Sequence, residues 1–197
     1  GGSGKTRLAI EAAAASIGLF DSIHWAELAP LGSDDTLVDE LVALVGIEHQ
    51  GSAGRRGALM DALGHGRRLL VLDNAESIHQ TEGRAGALRP GYEEYGQLFR
   101  RIGENRHDSC LLLTSREQPQ EIAQLERISP LIYTLSLTGV SYEAGRSILR
   151  VQGVEGEPAT VQRLIERYSG NPLALILIAE TIDELYDGDI EVFLSEE

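Results

Sequence analysis

The chain has 197 residues, a formal net charge of −14 and 42% hydrophobic residues, which is typical of one globular domain or of one domain with a small appendage. The acidic surplus disfavours direct nucleic-acid binding and a basic membrane-surface helix, because both need clustered Lys and Arg. Cys110 is the single cysteine, so no intramolecular disulfide can form, and a reducing cytoplasm is the expected location. No apolar run reaches the ~18 residues of a membrane-spanning helix.

Strands and helices alternate through the first two thirds of the chain. The predicted elements, in chain order, are a helix over 7–15, a strand over 22–28, helices over 33–45 and 55–63, a strand over 69–73, a helix over 93–103, a strand over 109–116, a helix over 118–125 and a strand over 131–137. The strands of 69–73 and 109–116 are continuously apolar, as in parallel strands buried on both faces. This pattern predicts an α/β fold with a doubly wound parallel sheet.

After Leu137 the pattern indicates helices alone. Two helices are predicted over 141–151 and 158–168, and a third starts at Pro172 with Asn171 as its cap. The third helix is apolar on all sides at its start and is expected to be buried. We therefore predict two domains, an α/β domain over 1–130 and a helical domain over 138–197.

The first six residues, Gly-Gly-Ser-Gly-Lys-Thr, match the second half of a phosphate-binding loop, G-x-x-x-x-G-K-[ST]. Backbone N–H groups of such a loop point at the β-phosphate, and the following helix adds its positive end. Lys5, the only lysine, would reach the β- and γ-phosphates, and Thr6 would hold Mg²⁺. The alternative is that these six residues are a flexible Gly-rich leader without a ligand. The predicted nucleotide contacts are Gly1, Gly2, Ser3, Gly4, Lys5, Thr6, Arg7 and Pro172.

An acidic residue, Asp73, ends the buried strand of 69–73. Ligands of open α/β sheets bind at the carboxyl ends of the strands, so Asp73 is predicted to hold Mg²⁺ together with Thr6. Glu76 could orient or deprotonate an attacking water. It could equally be an acid that favours the start of a helix.

Two further features point to phosphate. Arg116 ends the strand of 109–116, where its guanidinium could contact a γ-phosphate; the alternative is an arginine paired with surface acids. The capped helix start at Asn171 and Pro172 leaves N–H groups free to bind an anion. Lys5, Asp73, Glu76 and Arg116 are therefore the predicted catalytic residues.

The segments GGSGKT, LLVLDN, LLLTSR and GNPLAL, in this order, resemble the nucleotide-binding module of STAND ATPases, called NB-ARC. The resemblance implies a Walker A loop through Lys5 and Thr6, a Walker B acid at Asp73, a sensor arginine at Arg116 and a nucleotide contact at Pro172. It implies a P-loop NTPase fold, a three-layer parallel sheet in the order 2-3-4-1-5, followed by a small helical domain. The sequence begins inside the Walker A pattern, so we expect the first strand to be missing.

The resemblance also implies ATP or ADP and Mg²⁺ as ligands, and a role as a switch within a larger bacterial signalling protein. Partners would be other proteins or repeat domains of the same chain, with nucleotide-dependent self-association as a further expectation. Many members carry a second acid after the Walker B Asp, where this chain has Asn74, so we expect slow ATP hydrolysis. The alternatives are a non-hydrolysing, nucleotide-stabilised scaffold and a small-molecule kinase.

Overall fold

The computed structural model describes residues 2–28, 39, 41–43, 45–46, 54–80 and 85–196. These residues form two compact units. One is Thr6–Leu135, and the other combines the described parts of Gly1–Lys5 and Ser136–Glu197. Most of the helix predicted over 33–45, together with Gly1, lies outside the described residues. Within the described segments, no helix combines the length and the apolar character that crossing a membrane requires.

The unit of Thr6–Leu135 alternates helices with strands. Its elements are α1 (Lys5–Ala15, whose first residue belongs to the other unit), β1 (Ser22–Glu27), α2 (Arg55–Gly64), β2 (Arg68–Asp73), a short 3₁₀ helix (Ala75–Ile78), α3 (Glu93–Glu104), β3 (Cys110–Leu113) and α4 (Gln120–Glu126). The described strands form a three-stranded parallel sheet in the order β1-β2-β3. All three strands therefore end at the same edge of the sheet.

Helices cover both faces of this sheet because β2 is apolar on both sides. Leu69 and Val71 pack in a cluster with the alanines of α1. Leu70 and Leu72, which point to the opposite face, share a larger core with Phe99 of α3. The result is an α/β fold with three layers, in which the central strand is the most deeply buried.

The strand predicted over 131–137 does not form, and this expectation is wrong. Leu131, Tyr133 and Leu135 alternate along an extended segment, but their exposed fractions are 80%, 83% and 63%. A strand needs a neighbour that completes its backbone hydrogen bonds, and no described strand pairs with this segment. Thr134 instead donates its backbone N–H to the Glu126 carboxylate at 2.8 Å. The described strands have the order β1-β2-β3, and the expected order 2-3-4-1-5 stays a prediction.

The second unit consists of helices that surround one apolar core. They are α5 (Tyr142–Val151), α6 (Pro158–Arg167), α7 (Pro172–Tyr186) and α8 (Ile190–Glu196). Leu149, Leu164, Leu175 and Ile182 are fully buried within it. Gly145 of α5 permits close helix packing, because a Cβ there would lie 2.7 Å from Ile165 Cδ1.

One expectation for this unit is wrong. α7 is not buried on all sides, since Leu173, Leu177 and Leu185 are exposed. The error has a physical cause: burial depends on which helices become neighbours, and composition does not determine that.

Candidate functional site

Asp73 is the centre of a hydrogen-bonded cluster at the carboxyl edge of the sheet. It ends β2, and only 6% of it is exposed. Thr6 Oγ1, in the first turn of α1, lies 3.1 Å from Asp73 Oδ1 and 3.0 Å from Oδ2 and donates to this carboxylate. Thr114, the residue after β3, also donates its hydroxyl to Asp73. Hydroxyl donors from two other elements therefore hold a buried carboxylate that would otherwise be costly to desolvate.

Thr114 also fixes the chain that leaves β2. Its Oγ1 accepts from the backbone N–H of Asn74 at 3.0 Å, and its carbonyl accepts from that of Ala75 at 2.8 Å. Asn74 has φ +66°, in the left-handed region that Asn tolerates better than most residues. The turn after Asp73 is thus bonded to the end of the neighbouring strand, and the carboxylate is positioned by the fold.

Thr114 is predicted from the sequence only as part of the strand over 109–116, and its place in this cluster is a finding of the structure. The signal was available in the strand register. Leu72 lies opposite Leu113 in the parallel pair, and the next residues along these strands are Asp73 and Thr114. A hydroxyl beside a buried strand-end acid can donate to it.

Glu76 and Arg116 form an ion pair in the same unit. Arg116 Nε lies 2.9 Å from Glu76 Oε1, and the exposed fractions of the two side chains are 63% and 20%. The second carboxylate oxygen, Glu76 Oε2, is buried and has no hydrogen-bond partner among the described residues. Both alternatives raised for these residues apply in part, because Glu76 lies in the first turn of the 3₁₀ helix and Arg116 is paired with an acid.

The predicted phosphate loop lies in the other unit and contacts the start of α7. Gly2 and Gly4 both have φ +84°, a left-handed conformation that glycine adopts without the steric cost of a side chain. A Cβ on Gly2 would lie 2.7 Å from Leu173 Cβ. The Gly2 carbonyl accepts from Leu173 N at 3.4 Å, and Lys5 Nζ donates to Ser3 Oγ at 3.4 Å.

The remaining predicted nucleotide contacts are Pro172, at the start of α7, and Arg7, in α1. Pro172 begins α7, and its Cγ lies 4.0 Å from the position of a Cβ on Gly4, so the Gly-Asn-Pro segment and the loop are neighbours. Asn171 caps α7 by accepting from the N–H groups of Leu173 and Ala174. Arg7 forms an exposed ion pair with Glu11 at 2.6 Å, within α1.

A buried histidine, His79, lies one residue beyond the 3₁₀ helix. Its exposed fraction is 3%, and neither ring nitrogen has a hydrogen-bond partner among the residues described. Burial lowers the pKa of His79, although the carboxylates of Glu117, Glu121 and Glu76 act in the opposite direction. The ring is therefore held in its neutral form.

Thr6 and Asp73 suit Mg²⁺ by their chemistry, since both offer hard oxygen ligands. In the part of the chain that the structure describes, no three or more His, Cys, Asp or Glu side chains form a metal-binding group. A magnesium ion held with phosphates does not need such a group, because it keeps several waters and takes only one or two protein ligands. The buried carboxylate and its hydroxyl neighbour fit that requirement.

Comparisons with known proteins match parts of much longer chains. No protein-family model matches this chain. An uncharacterized WD repeat-containing protein of Nostoc sp. is 38% identical over 208 residues, which cover 98% of this chain and 16% of the Nostoc protein. Proteins named as HTH-type transcriptional regulators of Mycobacterium bovis and Mycobacterium tuberculosis are 37% identical over 78 residues, which cover 40% of this chain and 9% of each regulator. The chain thus spans less than a fifth of these relatives.

Among solved structures, the Walker-type ATPase of Pyrococcus abyssi is similar to this chain at 13% identity. The alignment covers 96% of this chain and 67% of the Pyrococcus chain, with a TM-score of 0.48.

Proposed function

We propose that the chain is a Mg²⁺-dependent ATP- and ADP-binding module of the NB-ARC type, with slow ATP hydrolysis. The observation that carries this proposal is the hydrogen bond from Thr6 to Asp73. It joins the hydroxyl that follows the Gly-rich loop and its lysine to the carboxylate that ends a buried parallel strand. These are the two residue types that hold Mg²⁺ in phosphate-loop enzymes.

Each residue then has a defined task. The N–H groups of the loop and the Lys5 ammonium bind the β- and γ-phosphates, and the α1 dipole adds to their attraction. Thr6 and Asp73 would hold Mg²⁺, which supplies charge neutralisation at the phosphates when it is bound. Glu76 orients the attacking water and accepts its proton at a carboxylate oxygen. Arg116 contacts the γ-phosphate and so distinguishes ATP from ADP.

Calorimetry tests the binding part of this proposal. The purified chain, titrated with ADP and with ATP in the presence of Mg²⁺, should bind both nucleotides. Lys5→Ala should abolish binding, because no other side chain of the loop carries a positive charge. Arg146→Ala, which removes one exposed positive charge from α5, is the matched control and should bind normally. Unchanged affinity of Lys5→Ala would refute the assignment.

A second candidate function is a scaffold that binds nucleotide without hydrolysing it. The ion pair favours this candidate, because Arg116 already occupies one oxygen of the proposed base Glu76, and Asn74 stands where a second acid is common. Single-turnover hydrolysis distinguishes the two. If Glu76 is the base, Glu76→Gln should abolish hydrolysis and retain nucleotide binding, whereas a scaffold shows no turnover in the parent protein.

We place this module within a longer protein that uses nucleotide exchange as a switch. The NB-ARC resemblance and the WD repeats in the name of the Nostoc relative support repeat domains in the same chain as partners. Binding ADP in one conformation and ATP in another would bias such an equilibrium by the difference between the two affinities. Nucleotide-dependent self-association is the corresponding output to test in the longer protein.

A further inference from the structure

The Glu76–Arg116 pair is asymmetric in its freedom to move. Glu76 is mostly buried on a short 3₁₀ helix, whereas Arg116 is largely exposed and follows the end of β3. Arg116 contacts Glu76 through its Nε at 2.9 Å, and a guanidinium carries five N–H donors. The arginine can therefore exchange its acceptor at lower cost than the glutamate can leave its position.

The pair is anchored beside the predicted magnesium ligands. Glu76 follows Asp73 by three residues, and Arg116 follows Thr114 by two. Asp73 and Thr114 are joined directly by a hydrogen bond, and Thr6 donates to Asp73 as well. A terminal phosphate that binds Arg116 would therefore meet a guanidinium that already has a carboxylate partner.

A phosphate and a carboxylate compete for a guanidinium because both accept charge-assisted hydrogen bonds in the same fork geometry. A γ-phosphate offers more negative charge and more acceptor oxygens than one carboxylate. ADP lacks the γ-phosphate and so would not compete with Glu76 for Arg116.

On these grounds we infer that Glu76, in addition to its proposed role as the base, holds Arg116 and competes with the γ-phosphate for it. Glu76 thereby weakens ATP binding relative to ADP binding and sets the threshold at which the switch responds to ATP. This inference rests on the proposed nucleotide-binding function and assigns its regulation to one ion pair.

Simple repulsion between the Glu76 carboxylate and phosphate would also weaken ATP binding. The two explanations differ in their dependence on Arg116. Competition requires the guanidinium, so removing Glu76 has no effect on affinity once Arg116 is gone. Repulsion does not require it, so the effect of Glu76 would persist. A double-mutant cycle separates these cases.

The experiment measures the affinities of adenylyl imidodiphosphate, a non-hydrolysable triphosphate, and of ADP by calorimetry with Mg²⁺. The proteins are the parent chain, Glu76→Gln, Arg116→Ala and the double variant. Glu76→Gln should tighten the triphosphate by about three- to tenfold, the range expected for releasing one partly buried charge pair, and should leave ADP unchanged. In the Arg116→Ala background the same substitution should change neither affinity.

Two further variants keep the test decisive. Glu155→Gln breaks an exposed Arg–Glu pair at 3.2 Å in the helical unit and should leave both affinities unchanged. Glu76→Ala removes the carboxylate altogether and should reproduce the selective gain if Glu76→Gln fails to fold.

An equal gain in both backgrounds, or an unchanged ratio of the two affinities in Glu76→Gln, overturns the inference and leaves the proposed function intact. Failure of the parent chain to bind either nucleotide overturns both.

Discussion

The Asp73 cluster and the Glu76–Arg116 pair lie in the same unit but are built in opposite ways. Asp73 is buried and receives hydroxyl donors from two other elements, and the turn after it is bonded to β3. The pair joins a largely exposed arginine to a carboxylate with one oxygen that has no hydrogen-bond partner among the described residues. The first arrangement fixes a carboxylate in place, whereas the second leaves a charge that can change its partner. In the proposed function, the first would hold the metal and the second would sense the phosphate.

The largest expected effect comes from breaking the fixed cluster. Thr114→Val keeps the side-chain shape but removes both the donor to Asp73 and the acceptor of the Asn74 N–H. The buried Asp73 carboxylate loses one of its two hydroxyl donors and the Asn74 N–H loses its acceptor, so the free energy of unfolding should fall by about 2–4 kcal/mol. Urea denaturation monitored by circular dichroism measures this loss.

Thr160→Val is the matched control for Thr114→Val. Thr160 is also buried, but its hydroxyl makes one bond, to Glu191 at 3.0 Å. Its loss should cost about 1 kcal/mol. Equal losses in the two variants would show that the Asp73 cluster is not specially constrained.

The ion pair should contribute much less to stability. Arg116→Ala is expected to lower the free energy of unfolding by about 1 kcal/mol or less, because solvent screens the exposed guanidinium. Arg150→Ala breaks a pair in which the acid is also exposed and should have almost no effect in the same urea experiment. A loss for Arg116→Ala as large as that for Thr114→Val would contradict the division between fixed and adjustable parts.

The smallest effect concerns His79, which is buried near Glu76. Its pKa in the folded chain is lower than the ordinary value of about 6.5, so the unfolded chain takes up a proton first as the pH falls. Stability is therefore lost on the acid side of pH 6.5, by at most about 0.8 kcal/mol at pH 6. The His79→Leu variant should not lose this part of its unfolding free energy when the pH falls.

Urea denaturation of the parent and His79→Leu at pH 7.5 and pH 6.0 measures the difference. Glu76, Glu117 and Glu121 face the histidine and are present in both proteins, so their own titration largely cancels in the comparison. If the free energy of unfolding changed equally with pH in the two proteins, His79 would not be held in its neutral form.

The sequence predicts the sheet well where the residues of a strand themselves show that the strand is buried. β2 is continuously apolar and ends on an acid, and its strand, its parallel neighbours and the position of Asp73 at the carboxyl edge follow from that pattern. It also predicts that Thr6 and Asp73 lie together, and a hydrogen bond joins them. Their role in holding Mg²⁺ stays a prediction.

Features that depend on distant partners were not predictable in the same way. Residues 131–137 have the alternation of a strand, but strand formation requires a neighbour, which periodicity cannot supply. The burial of His79 depends on which segments of the chain pack over it. The choice of Glu76 as the partner of Arg116 depends on side-chain reach across two connections, so sequence spacing left it open.

The contact between Gly2 and Leu173 has a consequence for the order in which the protein is made. The Gly2 carbonyl accepts from an amide that the ribosome adds 171 positions later, at a typical synthesis speed of about 5–20 residues per second. The Gly-rich turn cannot acquire this neighbour until Leu173 has emerged from the ribosome. The proposed phosphate site would then be completed only after the start of α7 has been translated.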